Sequence, residues 1–271
     1  MRFDAYAATV ETHPMELVEV LHAALGAGKV EKASGAQGYA VRLIVKARDN
    51  APLVTVKAGG QQQWPHFDVQ GPQTPEVVEV VRGAWPSHRV SRVDSAEDFE
   101  QEGCFLRLVQ IAREVARWRR LQTPVDGDWL QCVHGRTLYV GARSSESRAR
   151  IYEKGHEQYY ARGARSLRPD WVRAEVQQRP KREKREKAAT LTPQEVWGMS
   201  PWTKELALEI AKIDVPRVMA PARRAKTLDD AMRAMMAQWG AKFEELVDRE
   251  GSPCAAGEYL QVVRERIKSE S

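Results

Sequence analysis

The sequence predicts an α+β fold built on antiparallel sheet, in two pseudo-repeated halves followed by a helical C-terminal part. Three observations predict it. Short runs with apolar and polar residues alternating recur along the first 178 residues, bounded by Gly, Pro or charged turns, as half-buried strands require. One order, a strand and a helix followed by several strands, is met twice. In the C-terminal third the apolar residues recur instead at helical spacing.

The first half opens with a strand at about 3–10 and a helix at about 13–26, where Leu17, Leu21 and Leu25 fall on one face. Strands are expected at 38–46, 52–57 and 65–70. A short helix starts at Thr74-Pro75, a favourable N-terminal pair, and ends near Trp85-Pro86. The second half repeats the order: a strand at 89–94, a helix from about 96 to 121, then strands at 129–134, 136–141, 148–154 and 171–178. The expected divisions are 1–88, 89–180 and a basic linker with helices over 181–271.

In the strand at 148–154, Arg148, Arg150, Tyr152 and Lys154 share one face, opposite Ala149 and Ile151. The apolar pair suits a core, and the basic row suits solvent or a polyanion. On alternation alone, an ordinary hairpin with a solvated basic face is the plainer reading. Tyr139, on the neighbouring strand opposite Leu138 and Val140, is a rival to Tyr152 for any tyrosine chemistry.

Composition bounds the partners. The chain has 271 residues with 42% hydrophobic content, enough for one large or two small cores, and a net charge of +5 that leans toward nucleic acid. Across 143–187 there are 14 Lys/Arg against 7 Asp/Glu, so the basic excess gathers around Tyr152. The run Arg179–Lys187 has six bases and two acids; it reads as a solvated linker or as a phosphate-contacting segment carrying Lys181 and Arg182. Cys104, Cys132 and Cys254 form no CxxC pair, so neither a zinc site nor a disulfide framework is indicated, and a reducing cytoplasm is expected. No signal-like segment and no apolar run of membrane-spanning length is found. Toward the C-terminus, Thr227 is placed to cap a helix through about 249, with Asp229 and Asp230 near its positive end. Leu228, Met232, Met235, Trp239, Phe243 and Leu246 form a stripe that is either core or a partner surface.

Three acids are the expected metal-binding candidates. Asp94 ends a strand, where capping the next helix would also explain it, and Asp98 is expected in that helix's first turn. Glu175 shares a strand face with Trp171, Arg173 and Gln177, where a cross-strand salt bridge is the plainer reading. Together with Tyr152 they fit one chemistry. A phenol ionises near pH 10, and neighbouring Arg or Lys favours the phenolate. Attack on a phosphodiester builds negative charge that arginines and a hard divalent cation can hold, and such cations take carboxylate oxygens.

Three motifs in this order resemble the Rep_trans family of replication initiation factors. An Arg-x-Asp-x-x-x-Asp motif is similar to Arg92, Asp94 and Asp98. A longer one is similar to Tyr139, Gly141, Arg143, Ser145, Arg150, Tyr152 and Lys154, with Ala142 where many members carry Ser. An Arg-x-Glu motif is similar to Arg173 and Glu175. The resemblance covers roughly 89–178 well and the first half loosely, through Phe67–Gly71. It implies a rolling-circle replication initiator that nicks one DNA strand. Tyr152 would form a 5′-phosphotyrosine link and free a 3′-OH, supported by Arg150 and Lys154. Asp94 and Glu175, with Asp98 behind them, would hold Mg²⁺ or Mn²⁺. Arg143, Ser145, Arg148, Arg173, Lys181 and Arg182 are the expected DNA contacts. Origin DNA, single-stranded or cruciform, is the expected partner, with a host helicase, a polymerase and a homodimer as further expectations. The alternatives are a relaxase for conjugative mobilisation with the same chemistry and a non-catalytic DNA-binding regulator. The six histidines hold no His-hydrophobic-His motif, which sets the chain apart from nickases whose metal sits on histidines.

Overall fold

β1 (Arg2–Thr9) and β6 (Arg89–Glu100) lie side by side, antiparallel, at the centre of a ten-stranded sheet. The computed structural model describes residues 1–218 and 228–269. On one side of the central pair come β5 (His66–Gln70), β4 (Pro52–Ala58), β3 (Val41–Lys46) and β2 (Lys29–Ser34). On the other come β10 (Trp171–Gln178), β9 (Ser147–Tyr152), β8 (Arg136–Val140) and β7 (Val125–Gly127). Each half is thus a strand, a helix and four more strands, the last returning to pair with the first. This is the expected α+β pseudo-repeat, and the two copies meet along β1 and β6.

One face of the sheet is covered and the other is open. Alternation decides which side chains go where. On the covered side, α1 (Pro14–Ala24) and α2 (Thr74–Ala84) bury Leu17, Leu21, Val77 and Val81 against Tyr6, Val56, Phe67 and Val93. In the second half, α3 (Cys104–Trp118) buries Phe105, Leu108 and Ala112 against Leu138, Ile151, Val172 and Val176. The segment after β10 belongs to the same core. It forms α5 (Lys184–Ala188), α6 (Pro193–Trp197) and α7 (Pro201–Ala211). Leu191 and Val196 join the first core, and Trp197, Trp202 and Leu206 join the second. Capping boxes at Thr192 and Ser200, each followed by Pro at the first helical position, start α6 and α7. Trp197 is fully buried and its Nε1 donates to Ser95 Oγ at 3.0 Å, tying α6 to the central strand.

The structure corrects several sequence expectations. β6 runs to Glu100, so residues 95–100 are strand, and α3 starts only at Cys104, after Gly103 in the left-handed conformation. The acidic composition of this stretch favours a helix, but pairing with β10 from Val93 to Glu100 overrides it. Asp98 is therefore a strand residue, not part of a first helical turn. The strand expected at 129–134 is a turn, closed by Asp128, whose carboxylate accepts from the backbone N–H of Gln131 and Val133. β7 precedes it, and β2, a polar edge strand without alternation, was not expected at all. Tyr159 and Tyr160 lie on a π-helical turn (Glu157–Ala161) that follows the short α4 (Lys154–His156).

The chain divides into two compact units, Met1–Pro221 and Ala222–Ser271. The second is a helical hairpin of α8 (Leu228–Glu250) and α9 (Pro253–Ser269). Thr227, the expected cap, lies outside the described residues, as do the side chains of Asp229 and Asp230. Leu228, Met232, Met235 and Trp239 of the apolar stripe are exposed, while Phe243 and Leu246 are half-buried. No described helix is long and apolar enough to cross a membrane.

Candidate active site

The open face of β6, β10, β9 and β8 gathers the expected site residues in rows set by strand register. Asp98, Arg173, Tyr152 and Thr137 lie across one row. Ala96, Glu175, Arg150 and Tyr139 form the next, and Asp94, Gln177 and Arg148 the third. Residues 75 positions apart in the chain, such as Asp98 and Arg173, are thereby held by the same ladder of backbone hydrogen bonds.

Every carboxylate in these rows meets an arginine. Arg92 donates to both oxygens of Asp94, which is fully buried, and Gln177 Nε2 donates to Asp94 Oδ2 at 3.2 Å. Arg150 Nη2 donates to Glu175 Oε2 at 2.7 Å. Arg173 forms a fork on Asp98, at 2.7 and 2.9 Å, and its remaining nitrogen reaches Asp4 Oδ1 at 2.7 Å. Trp171 Nε1 also donates to Asp98 Oδ1. Burial pushes the Glu175 carboxyl well above the usual carboxylate range, the nearby Asp94 adds to this, and Arg150 only partly opposes it. Negative charge is thus crowded at Asp94 and Glu175, whereas Asp98 is held below its ordinary value by Arg173 despite its burial.

Tyr152 is 7% exposed. The Arg150 guanidinium lies 5.0 Å from its ring centre and the Lys154 ammonium 5.5 Å. Lys154 gets there although the strand ends at Tyr152: the chain turns into α4, and Lys154 bridges to Glu157. The turn is possible because position 155 is glycine; a Cβ there would fall 1.7 Å from the Arg168 carbonyl oxygen. The flanking cations were expected to favour the phenolate. The net direction is the opposite: burial raises the phenol above its ordinary value, Glu175 adds to this, and Arg150 and Arg173 oppose it without prevailing.

Two cavities flank the Arg150–Glu175 pair. One, of about 290 Å³, is lined by Tyr152, Thr137, His134, His156, Glu157 and Tyr160, among others. The other, of about 100 Å³, is lined by Arg92, Arg148, Tyr139 and Gln177 together with Arg150 and Glu175. Arg148 sits 3.9 Å from the Tyr139 ring centre, and the buried Nε atoms of Arg148 and Arg150 have no hydrogen-bond partner among the described residues. Arg148 and Arg150 thus each keep one donor that no described protein group satisfies.

The structure brings Asp94, Asp98, Glu175, Arg148, Arg150, Arg173, Tyr152 and Lys154 to one face. It leaves Arg143 and Ser145 in the β8–β9 turn, at the far end of the hairpin from Tyr152, where the Arg143 carbonyl accepts from Arg179. Lys181 and Arg182 follow as exposed residues. Sequence reasoning assigned no role to Asp4, whose tie to Arg173 spans 169 residues, nor to His134, His156, Glu157 and Tyr160. Asp4 carries no local signal; the cluster around Gly155 is the one hint that a turn packs over the tyrosine.

Comparison with known proteins bears on this part of the chain. Residues 89–190 match the family model Rep_trans, replication initiation factor. The Rep_trans region thus spans β6 to the segment after β10, with every row described above. A solved structure titled "Structure of Rolling Circle Replication Initiator Protein from Geobacillus stearothermophilus" shares the fold, with a TM-score of 0.51 at 18% identity, covering 84% of this chain and 89% of that one. No curated protein matches the chain.

Proposed function

We propose that this protein initiates rolling-circle DNA replication by nicking one strand, with Tyr152 as the nucleophile. The observation that carries the reading is the placement of Tyr152 beside the Arg150–Glu175 pair, on a cavity wall of the Rep_trans region. Tyr152 Oη attacks a backbone phosphorus, the bond to the 3′ oxygen breaks, and the DNA is left on the enzyme as a 5′-phosphotyrosine. The phenol proton passes to water in the cavity, and the departing 3′ oxygen takes one up. Arg150 and Lys154 lie close enough to the ring to hold the charge that builds on the phosphate.

Asp94 and Glu175 fit a divalent cation. They are hard oxygen donors, and Glu175 is raised in part by the Asp94 charge, so a cation there relieves a crowded pair. Among the described residues no third acid, His or Cys completes a set with them. That suits Mg²⁺ or Mn²⁺, which bind through one or two carboxylates and keep other positions for water and substrate phosphate. Bound there, the cation would polarise the phosphate and neutralise Glu175, removing one of the charges that keep Tyr152 protonated. Arg92 and Arg150 must loosen from the two acids for this to happen.

The test is covalent capture. Protein, Mn²⁺ and labelled origin-strand oligonucleotide should give a denaturation-resistant adduct, lost in Tyr152→Phe and kept in Tyr139→Phe. An adduct that survives Tyr152→Phe ends the assignment. The buried phenol favours one other reading, a DNA-binding regulator without catalysis, which binds DNA and gives no adduct with any divalent cation. Joining the finished strand calls for a second nucleophile, which a homodimer would supply.

A further inference from the structure

The two halves can be superposed strand on strand, and the register says what stands opposite the candidate active site. β8 and β9 start 95 residues after β3 and β4. On that offset the pairings agree throughout. Tyr152 pairs with Arg173, which pairs with Asp98; Lys57 pairs with His66, which pairs with Thr9. Lys57 is thus the counterpart of Tyr152, and His66 of Arg173. Two residues further on, Asp68 is the counterpart of Glu175, and two further again Gln70 matches Gln177. The contacts are repeated as well: His66 Nδ1 lies 3.3 Å from Thr9 Oγ1, where Arg173 meets Asp98, and Lys57 Nζ lies 2.9 Å from Asp68 Oδ2.

This copy lacks the tyrosine, has Thr55 where the other has Arg150, and adds an aromatic platform. Ala5 stands where Asp94 does, so the second acid of the pair is gone, and a lysine stands in place of the tyrosine. Tyr39 stacks on His66, with ring centres 6.2 Å apart and planes 25° from parallel. Its loop is built to hold it: a Cβ on Gly35 would fall 1.9 Å from the Tyr39 carbonyl oxygen, and Lys57 Nζ donates to Gln37 Oε1 of the same loop. Arg185, from the basic run after β10, anchors its Nε on the Val90 carbonyl and has no acidic partner among the described residues. Its charge is felt by both Tyr39 and His66, and it is itself held below the ordinary arginine value by burial and by Arg89.

We propose that Lys57, Arg185 and the Tyr39–His66 stack form a second DNA site, a non-reactive copy of the nicking site that holds a single strand leaving it, with a phosphate on the two cations and a base on Tyr39. Cationic surfaces with an exposed aromatic face bind single strands in this way. Along the sheet the two sites are separated by five strand spacings and about eight residues, on the order of 35 Å. That is about ten nucleotides at roughly 3.4 Å each. The proposal rests on the DNA reading of the Rep_trans region but not on its chemistry.

The test compares the full chain's affinity for an oligonucleotide covering only the nick site with its affinity for ones extended by about fifteen nucleotides on either flank. One extension should bind tighter. In Tyr39→Ala and in Arg185→Gln the ratio of long to short affinity should fall by about tenfold, roughly one stacked base. In Arg185→Gln the salt dependence of long-strand binding should also fall by about 0.7 in log–log slope. Tyr39→Phe, which keeps the ring, should behave as the unaltered chain, and unchanged melting curves guard against misfolding. Variants that keep the original ratio overturn the proposal, as does a chain that gains nothing from either flank. A ratio that collapses in the variants of a protein giving no adduct upholds this site and rejects the nickase reading; adduct formation with no flank effect does the reverse.

Discussion

Arg173 shows how a single side chain can organise this site. Its guanidinium is 4% exposed, forks onto Asp98 and reaches Asp4, so it joins β10 to β6 and to the first strand of the chain. Only a planar, permanently charged group with several fixed donors can serve two acids at once. Removing it leaves partly buried Asp4 without this counter-charge and Asp98 with the half-exposed Arg2 alone. We therefore expect Arg173→Met to cost about 3 kcal/mol, at the low end for breaking a buried pair because both acids keep some exposure, and Arg173→Lys to recover part of it. Denaturant unfolding measures both, and equal stability in all three proteins would contradict the role. The adduct test on Tyr152 belongs to the same scale. Tyr152 differs from Tyr139 in its surroundings: both line the larger cavity, but two cations lie near the Tyr152 ring, whereas Tyr139 is covered by Arg148.

At the scale of elements, β6 decides most. As a strand through Glu100 it puts Asp94 and Asp98 on one face, four residues apart, beside Glu175 and Arg173. Had the chain turned helical at 96, as its composition suggests, Asp98 would have been carried off the sheet. In the other half the β4–β5 pair, the counterpart of β9 and β10, makes a prediction about acid stability. Burial, reinforced by Lys57, lowers His66 from its ordinary 6.5 to about 4, with Asp68 opposing and Arg185 assisting. The unfolded chain therefore takes up this proton first. Stability should be unaffected by His66 above about pH 6.5, fall as the pH drops from there toward 4, and level off below, by at most about 3 kcal/mol. In His66→Gln that part of the slope should vanish, and an unchanged slope between pH 6.5 and 4 would show that His66 is not held neutral.

At the scale of the molecule, the core that supports the site is complete without the last helices. Trp197, Trp202, Leu206 and Val215 close it, all before residue 221. The α8–α9 unit buries Ala256 but leaves Leu228, Met232, Met235 and Trp239 exposed. A chain of residues 1–221 should therefore fold and melt within about 4 °C of the full protein, roughly the effect of 1 kcal/mol at this size. A larger drop in circular-dichroism melting would mean that the C-terminal unit supports the sheet.

Two things were legible in the sequence because they are local. Period-two alternation fixed which side of β9 and β10 faces the core, and so put Arg148, Arg150 and Tyr152 on one face and Arg173 and Glu175 on another strand's like face. The repeated strand–helix order revealed two halves. What only the tertiary structure decided is what lies beside what across strands. Register set Glu175 against Arg150, and Asp98 against Arg173. The covering turn after Gly155 buried Tyr152 and raised its phenol where flanking charge alone would have lowered it. The back-to-back meeting of β1 and β6 placed Lys57, His66 and Asp68 in positions equivalent to Tyr152, Arg173 and Glu175. The physical reason is common to all three. Alternation and turn chemistry act over a few residues, whereas desolvation and cross-strand pairing depend on segments up to 169 positions away, for which one strand's pattern holds no information.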